Sequence, residues 1–391
     1  MKNEKGFVLV TGLLVVFLLT VLSLIATQML TVELKVSGHE KSVKQAFYLA
    51  ESGLEEARGR FHQNSNARII DDKETSPNWK VFIGSVDKTQ SLGFNNGNQN
   101  YLRVDNLTNL NYAVRVEHKV NEANQILRYG DGNLDGIPDE NTTSGKPIYI
   151  VTSHSDVDNV SRTNRIEMSI VPNITTLSAL YTKDRVILNG KSTLITGIDK
   201  CGGSNVPGIL SYRSTIDVGQ AIVEGNPPII PDDLTNNMDV TRMVSFHGVR
   251  ANYHYTYSVD KVDTGMNWGN PSLINPQAPS TCGSKNVVYY NMGGKKIKLT
   301  GGTTGCGVLL VNGDLEINGG FTWYGVVIVT GNITFLGGGE RNITGAVISG
   351  GTSEVQDDVL GGDTALIYCS SAINFQTEDL PLKILRWTEV F

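Results

Sequence analysis

The chain has 391 residues, a formal net charge of -6 and 42 glycines. That length accommodates two or more domains, the acidic balance offers no basic surface for nucleic acid, and so many glycines indicate frequent tight turns. The first element is an apolar run, FVLVTGLLVVFLLTVLSLIA from Phe7 to Ala26, with no charge until Glu33. A stretch of roughly 20 residues or more is enough to cross a hydrocarbon core about 30 Å thick. Thr11, Thr20, Ser23 and Thr27 can return their hydroxyls to helix carbonyls, so they weaken the span little.

Beyond the span the apolar pattern changes without a Pro. Val36, Val43, Phe47, Ala50, Leu54, Ala57 and Phe61 draw one helical stripe, while Glu40, Lys41, Lys44, Glu51, Glu55 and Arg58 take the other face. The whole helix would be roughly 80 Å long. Gly38 and Gly53 cost about 1 kcal/mol each in a helix interior and mark places where it bends or packs closely.

A cleaved secretory signal has a core of about 7 to 15 apolar residues followed by an Ala-x-Ala-like site; this core is longer and no such site follows. A plain signal anchor accounts for the length, and Lys2 and Lys5 would keep the short leader in the cytoplasm. It leaves unexplained the placement of Lys5-Gly6 directly against Phe7, and the striped continuation. These residues, with QAFYLAESGLEEARGRF from Gln45 to Phe61, resemble the N-terminus of a type IV prepilin, most closely of the PilX-type minor pilins. The resemblance covers about the first 62 residues.

It implies that a prepilin peptidase in the inner membrane cuts between Gly6 and Phe7 and methylates the new amino terminus. It also implies that Thr11, Val36, Val43, Phe47, Ala50 and Leu54 pack against other pilin helices in a filament. Most pilins carry a glutamate at the fifth mature position, which here is Thr11. A membrane carboxylate is costly unless paired, so its absence fits PilX-like and GspK-like subunits proposed to enter first, at the tip, and makes a major pilin a poor match.

The resemblance and the pattern together set the expected fold class, α+β. A long N-terminal helix, transmembrane then amphipathic, packs on an antiparallel pilin-like sheet, followed by a large all-β, solenoid-like domain. The expected division is a leader at 1–6, the helix at 7–62, a head at 63–177 and the solenoid-like domain at 178–391, interrupted by an insertion at about 201–292.

After a polar stretch from His62 to Asn100, strand signals occur at Asn111 to Val120, Pro147 to Val157 and Ser161 to Pro172, the last two separated by an Asp-Asn turn. Tyr112, Val114 and Val116 alternate with Asn111, Arg115 and Glu117. One helix and an antiparallel meander make an α+β head. Between the first two strands, Asp131, Asn133, Asp135, Gly136 and Asp139 spell D-x-N-x-D-G-x-x-D, with the Ile137 carbonyl as a further ligand. Alternate side-chain oxygens around a Gly turn suit a structural Ca²⁺. Position twelve is Thr142 and no helices flank the loop, so it is no EF-hand. The plain alternative is a solvated Asx-Gly turn.

From about Ser178 a repeat emerges. Ile297-Lys-Leu299-Thr-Gly301-Gly302, Leu315-Glu-Ile317-Asn-Gly319-Gly320 and Ile333-Thr-Phe335-Leu-Gly337-Gly338 recur eighteen residues apart, as do the runs at Gly307 and Gly325, with a looser copy at Gly345. Short apolar strands turning at Gly with a fixed period suggest solenoid rungs; Val186 to Gly190 with Leu194 to Gly197 reads as an earlier copy. An ordinary β-sandwich is the alternative. The insertion holds GNPPIIPDD, a helix from Asp232 to Phe246 and the aromatics Tyr253, Tyr255 and Tyr257, which either bind a partner or sugar or form one packed face of a strand. Leu380 to Phe391 reads as a final strand returning to the head. Cys201, Cys282, Cys306 and Cys369 lie outside the cytoplasm by the orientation of the span, and their even number suggests two disulfides in one of three pairings, with buried free thiols as the alternative.

No catalytic constellation is present. Gly190-Lys191-Ser192 lacks the leading Gly of a phosphate loop, where Arg185 stands; there is no G-x-S-x-G or H-E-x-x-H; and Asp232-Asp233, the one carboxylate pair of the kind polysaccharide-cleaving solenoids use, follows a Pro-rich turn. The reading is therefore a non-enzymatic minor pilin, held in the inner membrane and then displayed on a pilus. Its implied partners are other minor pilins, the major pilin and a calcium-dependent tip adhesin. A GspK-like pseudopilin of a type II secretion system and a membrane-anchored glycan-binding solenoid are the alternatives.

Overall fold

A computed structural model describes residues 4–61, 68–84, 101–102, 112–188, 192–212, 216–217, 219–235, 237–256, 261–262, 266–272, 281–336, 339–355, 364–374 and 382–390. Lys2, Asn111, Gly190, Lys191, Tyr257, Gly337, Gly338, Leu380 and Phe391 lie outside the described residues. The chain divides into two units, one of Met1–Asn124, Tyr149–Met168 and Ile384–Phe391, the other of Gln125–Ile148 and Ser169–Lys383.

The first unit is built on one uninterrupted helix, α1, Glu4–Arg60. Thr11, Thr20 and Thr27 donate their hydroxyls to the carbonyls of Phe7, Phe17 and Ser23 at 2.9, 2.7 and 2.8 Å, which satisfies them without leaving the helix. The described side chains from Phe7 to Glu40 are all exposed. Burial starts at Ser42 and continues through Ala46, Ala50, Gly53, Leu54, Ala57 and Arg60. The buried face is thus centred on small residues, which let the helix lie close to the sheet beneath it. At Gly53 the approach is tightest: a Cβ would stand 2.9 Å from both Tyr112 Cδ2 and Val114 Cγ2 and collide with Ser153 Oγ. Gly38 has open space around it.

That sheet comprises β1 (Lys80–Ile83), β2 (Tyr101–Leu102), β3 (Tyr112–His118), β7 (Tyr149–Val157), β8 (Val160–Ile170) and the C-terminal strand Leu382–Val390, in the order β2-β1-β3-β7-β8-Leu382–Val390. The strands β4 (Arg128–Gly130), β5 (Asp139–Asn141) and β6 (Lys146–Pro147) form a separate three-stranded sheet in the second unit. The meander β1-β3-β7-β8 is antiparallel, and β2 runs parallel to β1. The β7–β8 hairpin closes at Asp158 and Asn159 with φ of 47° and 66°, both in the left-handed region, as a type I′ turn requires. Tyr112, Val114 and Val116 are buried under α1 while Arg115 and Glu117 keep the outer face, paired at 3.0 Å. The final strand returns to the head as expected, with Trp387 edge-on to Phe47 at 6.3 Å and its indole donating to Glu51 Oε1 at 3.0 Å.

Beyond that small antiparallel sheet, the second unit is largely a stack of parallel strands. Ile297, Leu315 and Ile333 pair directly in successive turns, and Gly307, Gly325 and Gly345 form a second column. The eighteen-residue spacing in the sequence is therefore the offset between directly paired parallel strands, lengthening by two residues between Gly325 and Gly345. The glycine column has a steric cause: Gly325 and Gly345 have φ of 139° and 141°, and a Cβ on either would collide with the carbonyl oxygen of the glycine below. Trp323, Phe321, Tyr290, Leu309 to Val311, Val326 to Val329 and Ala346 to Ile348 fill the interior.

The segment 201–292 does not simply interrupt the repeat: Ile209–Ser211, Ile222–Glu224, Tyr253–Thr256, Lys261–Val262 and Asn267–Trp268 all pair in parallel with coil strands. These turns carry different loop lengths, so they do not show as a period. The helix in this segment runs Val240–Gly248, with Asp239 capping it through the Arg242 amide at 3.0 Å, and so begins eight residues later than Asp232. The order of stacking is also not the order of the chain. The early copy at Val186–Leu188 and Thr193–Thr196 pairs with Ser353–Val355 and Thr364–Ile367, closing the coil across most of its length in sequence.

Candidate functional site

Three features carry functional expectations: the exposed stem, the Asp-rich loop and the cysteines. At the stem, Gly6 and Phe7 are helical, and the Phe7 side chain is 72% exposed. Thr11 and Val36 are exposed and Val43 and Phe47 half-buried. Ala50 and Leu54 are 0% and 1% exposed, so their assignment to packing against other helices is corrected: their own head covers them. The stripe that sequence periodicity picks out is real, but its lower half faces β3 and β7. Among the described residues one helix is long and apolar enough to cross a membrane, and none of its apolar half is buried by the protein itself. Leaving that much apolar surface in water would cost about 25 cal/mol per Å², so lipid or other helices must cover it.

The Asp-rich loop joins β4 to β5 and belongs to the second unit, not to the head. Asp131 is buried and accepts the amides of Asp135 and Gly136 at 3.0 and 2.8 Å, one on each carboxylate oxygen. Asp135 accepts the Ile137 amide at 2.8 Å and the Asn133 side-chain amide at 3.1 Å. Leu134 and Gly136 take φ of 59° and 87° to turn the chain. Burial pushes the Asp131 carboxyl above the usual range and the Asp135 charge adds to this, against hydrogen bonds from Thr175 and the two amides. The loop is seated by the Val240–Gly248 helix: the Asp239 amide donates to the Asp135 carbonyl at 2.7 Å, and Gly136 lies against Met243.

Asp131, Asn133 and Asp135 thus share one turn and offer only oxygen donors, a set that suits a hard cation. Asp139 is exposed at the start of β5, where Asn141 bonds its carbonyl at 3.3 Å. Among the described residues no three His, Cys, Asp or Glu side chains gather as a metal site. Of the predicted positions, Asp131, Asn133 and Asp135 lie in this one turn, bonded to its amides, and Asp139 is not gathered with them. Thr175, Asp239 and Met243 support the loop from distant parts of the chain, and no local signal in the sequence marks them.

The cysteines pair as Cys201–Cys369 and Cys282–Cys306, with Cα atoms 5.1 and 6.3 Å apart. Both bridges meet in one small apolar cluster with Tyr324 and Ala372. Asp199 ties the first bridge further, accepting the amides of Cys201 and Ser370 at 2.8 and 3.2 Å. Of the aromatics, Tyr255 stacks on Tyr290 at 4.7 Å and meets Trp268 at 6.2 Å, which makes it part of a packed face; Tyr253 is 40% exposed. Asp233 accepts the Thr235 amide at 3.0 Å in a surface turn, and Asp232 is exposed.

The stem is where the chain is similar to known proteins. Residues 5–55 match the family described as PilX N-terminal. With the long exposed helix on an antiparallel sheet, this makes the N-terminal part of the chain type IV pilin-like. Among solved structures, the competence-associated pilin ComZ from Thermus thermophilus is similar over 89% of this chain and 97% of its own, at 11% identity and a TM-score of 0.25. No curated protein matches the chain.

Proposed function

We propose that the protein is a minor pilin that takes part in type IV pilus assembly. The stem carries this reading: a PilX-like N-terminus on a helix whose apolar half is exposed on every side, with Lys5-Gly6 against Phe7. Before assembly the span resides in the inner membrane; after a prepilin peptidase removes residues 1–6 and methylates Phe7, it exchanges lipid for the helices of other pilins. Thr11 brings no carboxylate into that bundle, which suits a first-entering subunit at the tip. The parallel coil, read as a β-solenoid, is then held out as an interaction domain toward other minor pilins, the major pilin and a tip adhesin.

The Asp131 loop would hold Ca²⁺ with Asp131, Asn133 and Asp135 as side-chain ligands, and the ion would fix the hairpin against the Val240–Gly248 helix. No catalytic role enters this reading. Fractionation tests it: the protein should appear in sheared surface filaments, and Gly6→Leu should leave it unprocessed in the membrane. Equal recovery of native protein and Gly6→Leu from filaments would reject the reading.

A further inference from the structure

Two cations in the second unit share the Phe246 ring and, among the described residues, form no ion pair. The Lys383 ammonium lies 4.9 Å from the centroid of the Tyr129 ring and 4.4 Å from that of Phe246, and it donates to the Tyr129 hydroxyl at 2.6 Å. The Arg250 guanidinium lies 5.2 Å over Phe246. Burial pulls both cations below their usual range, and the charge of Arg250 adds to the effect on Lys383. Among the described residues neither forms an ion pair. His247, buried beside them, is held neutral by burial and by both cations, so it adds no charge. Asp139 and Glu140 lie exposed on the same hairpin as Tyr129; the Asp139 charge acts on the Tyr129 hydroxyl, and among the described residues Asp139 forms no ion pair with either cation.

Like charges held close and partly dehydrated repel, and a bound anion removes that repulsion. Arg250 presents a planar fork and Lys383 a point charge, a combination matched to a carboxylate. The rings that would stack a sugar are engaged by the cations. Val249, next to Arg250 in the chain, is 84% exposed, an apolar surface that an inorganic ion cannot use. The net charge of -6 works against extended polyanions. We propose that Arg250 and Lys383, floored by Tyr129 and Phe246 and with Val249 next to Arg250 in the chain, bind a carboxylate side chain on an acidic peptide segment of a partner protein. This goes beyond the pilin reading and does not depend on it.

The test uses the full chain in zwitterionic nanodiscs and a labelled, blocked peptide of alternating glutamate and valine. The glutamate peptide should bind at least tenfold tighter than its glutamine counterpart and weaken with added salt. Arg250→Gln and Lys383→Gln should each cost at least tenfold with unchanged melting; Arg250→Lys, which keeps the charge and removes the fork, should lose less. Equal binding of the two peptides, or native affinity in both Gln variants, would overturn the proposal. So would a site that takes sulfate or oligogalacturonate but no peptide.

Discussion

Removing the Cys201–Cys369 bridge should be the most damaging single change to the coil. Thr193–Thr196 stacks directly on Thr364–Ile367, and the bridge closes just beyond these strands. In the unfolded chain it shortens a loop of 168 residues, against 24 for Cys282–Cys306. In the chain-entropy picture these separations correspond to about 5 and about 3 kcal/mol at 25 °C. The Cα separation of 5.1 Å lies within the usual range for an unstrained bridge. Urea titration in detergent, followed by tryptophan fluorescence, should therefore give the Cys201→Ala/Cys369→Ala protein a lower midpoint than the Cys282→Ala/Cys306→Ala protein, with a difference of about 2 kcal/mol. A smaller loss for the long loop than for the short one would show that the coil closes without the bridge and refute the argument.

Gly53→Ala should destabilise the first unit by about 1–3 kcal/mol despite the better helix propensity of Ala, because the new methyl meets Ser153, Tyr112 and Val114; Gly38→Ala, with open space around it, should raise stability, and thermal melts of the two compare them. His247 is held neutral by burial and by Arg250 and Lys383, with its pKa pulled down to about 3. Its contribution is complete above the ordinary value of about 6.5 and is lost as pH falls from there toward 3, so native protein should lose ~2 kcal/mol more than His247→Gln between pH 7 and pH 5; parallel slopes in urea midpoints would contradict this. Asp131→Asn/Asp135→Asn should melt lower than native protein in calcium and no lower in chelator, since burial already raises Asp131 and its charge is a cost without a cation. Equal melting of native protein with and without calcium removes the ion from the loop.

The stem was legible because its signals are local: an uncharged run, a Gly at a charged boundary, and a stripe along one helix. The head hairpin was legible for the same reason, with Asp158-Asn159 between two alternating strands. The repeat could be read where neighbouring turns are neighbours in the chain, as at Ile297, Leu315 and Ile333. Where stacking joins distant segments, as Val186 does with Ser353, no period exists to be read. The disulfide pairing and the seating of the Asp131 loop on Met243 were hidden for that reason too. The stripe residues showed that one face of α1 is covered, but periodicity does not say by what. Ala50 and Leu54 proved to face their own sheet.

Mass spectrometry of the N-terminal peptide from sheared surface filaments is the measurement that matters here. A peptide beginning at a methylated Phe7, with residues 1–6 gone, is the result the stem predicts. An intact N-terminus starting at Met1 in mature, filament-associated protein would contradict it.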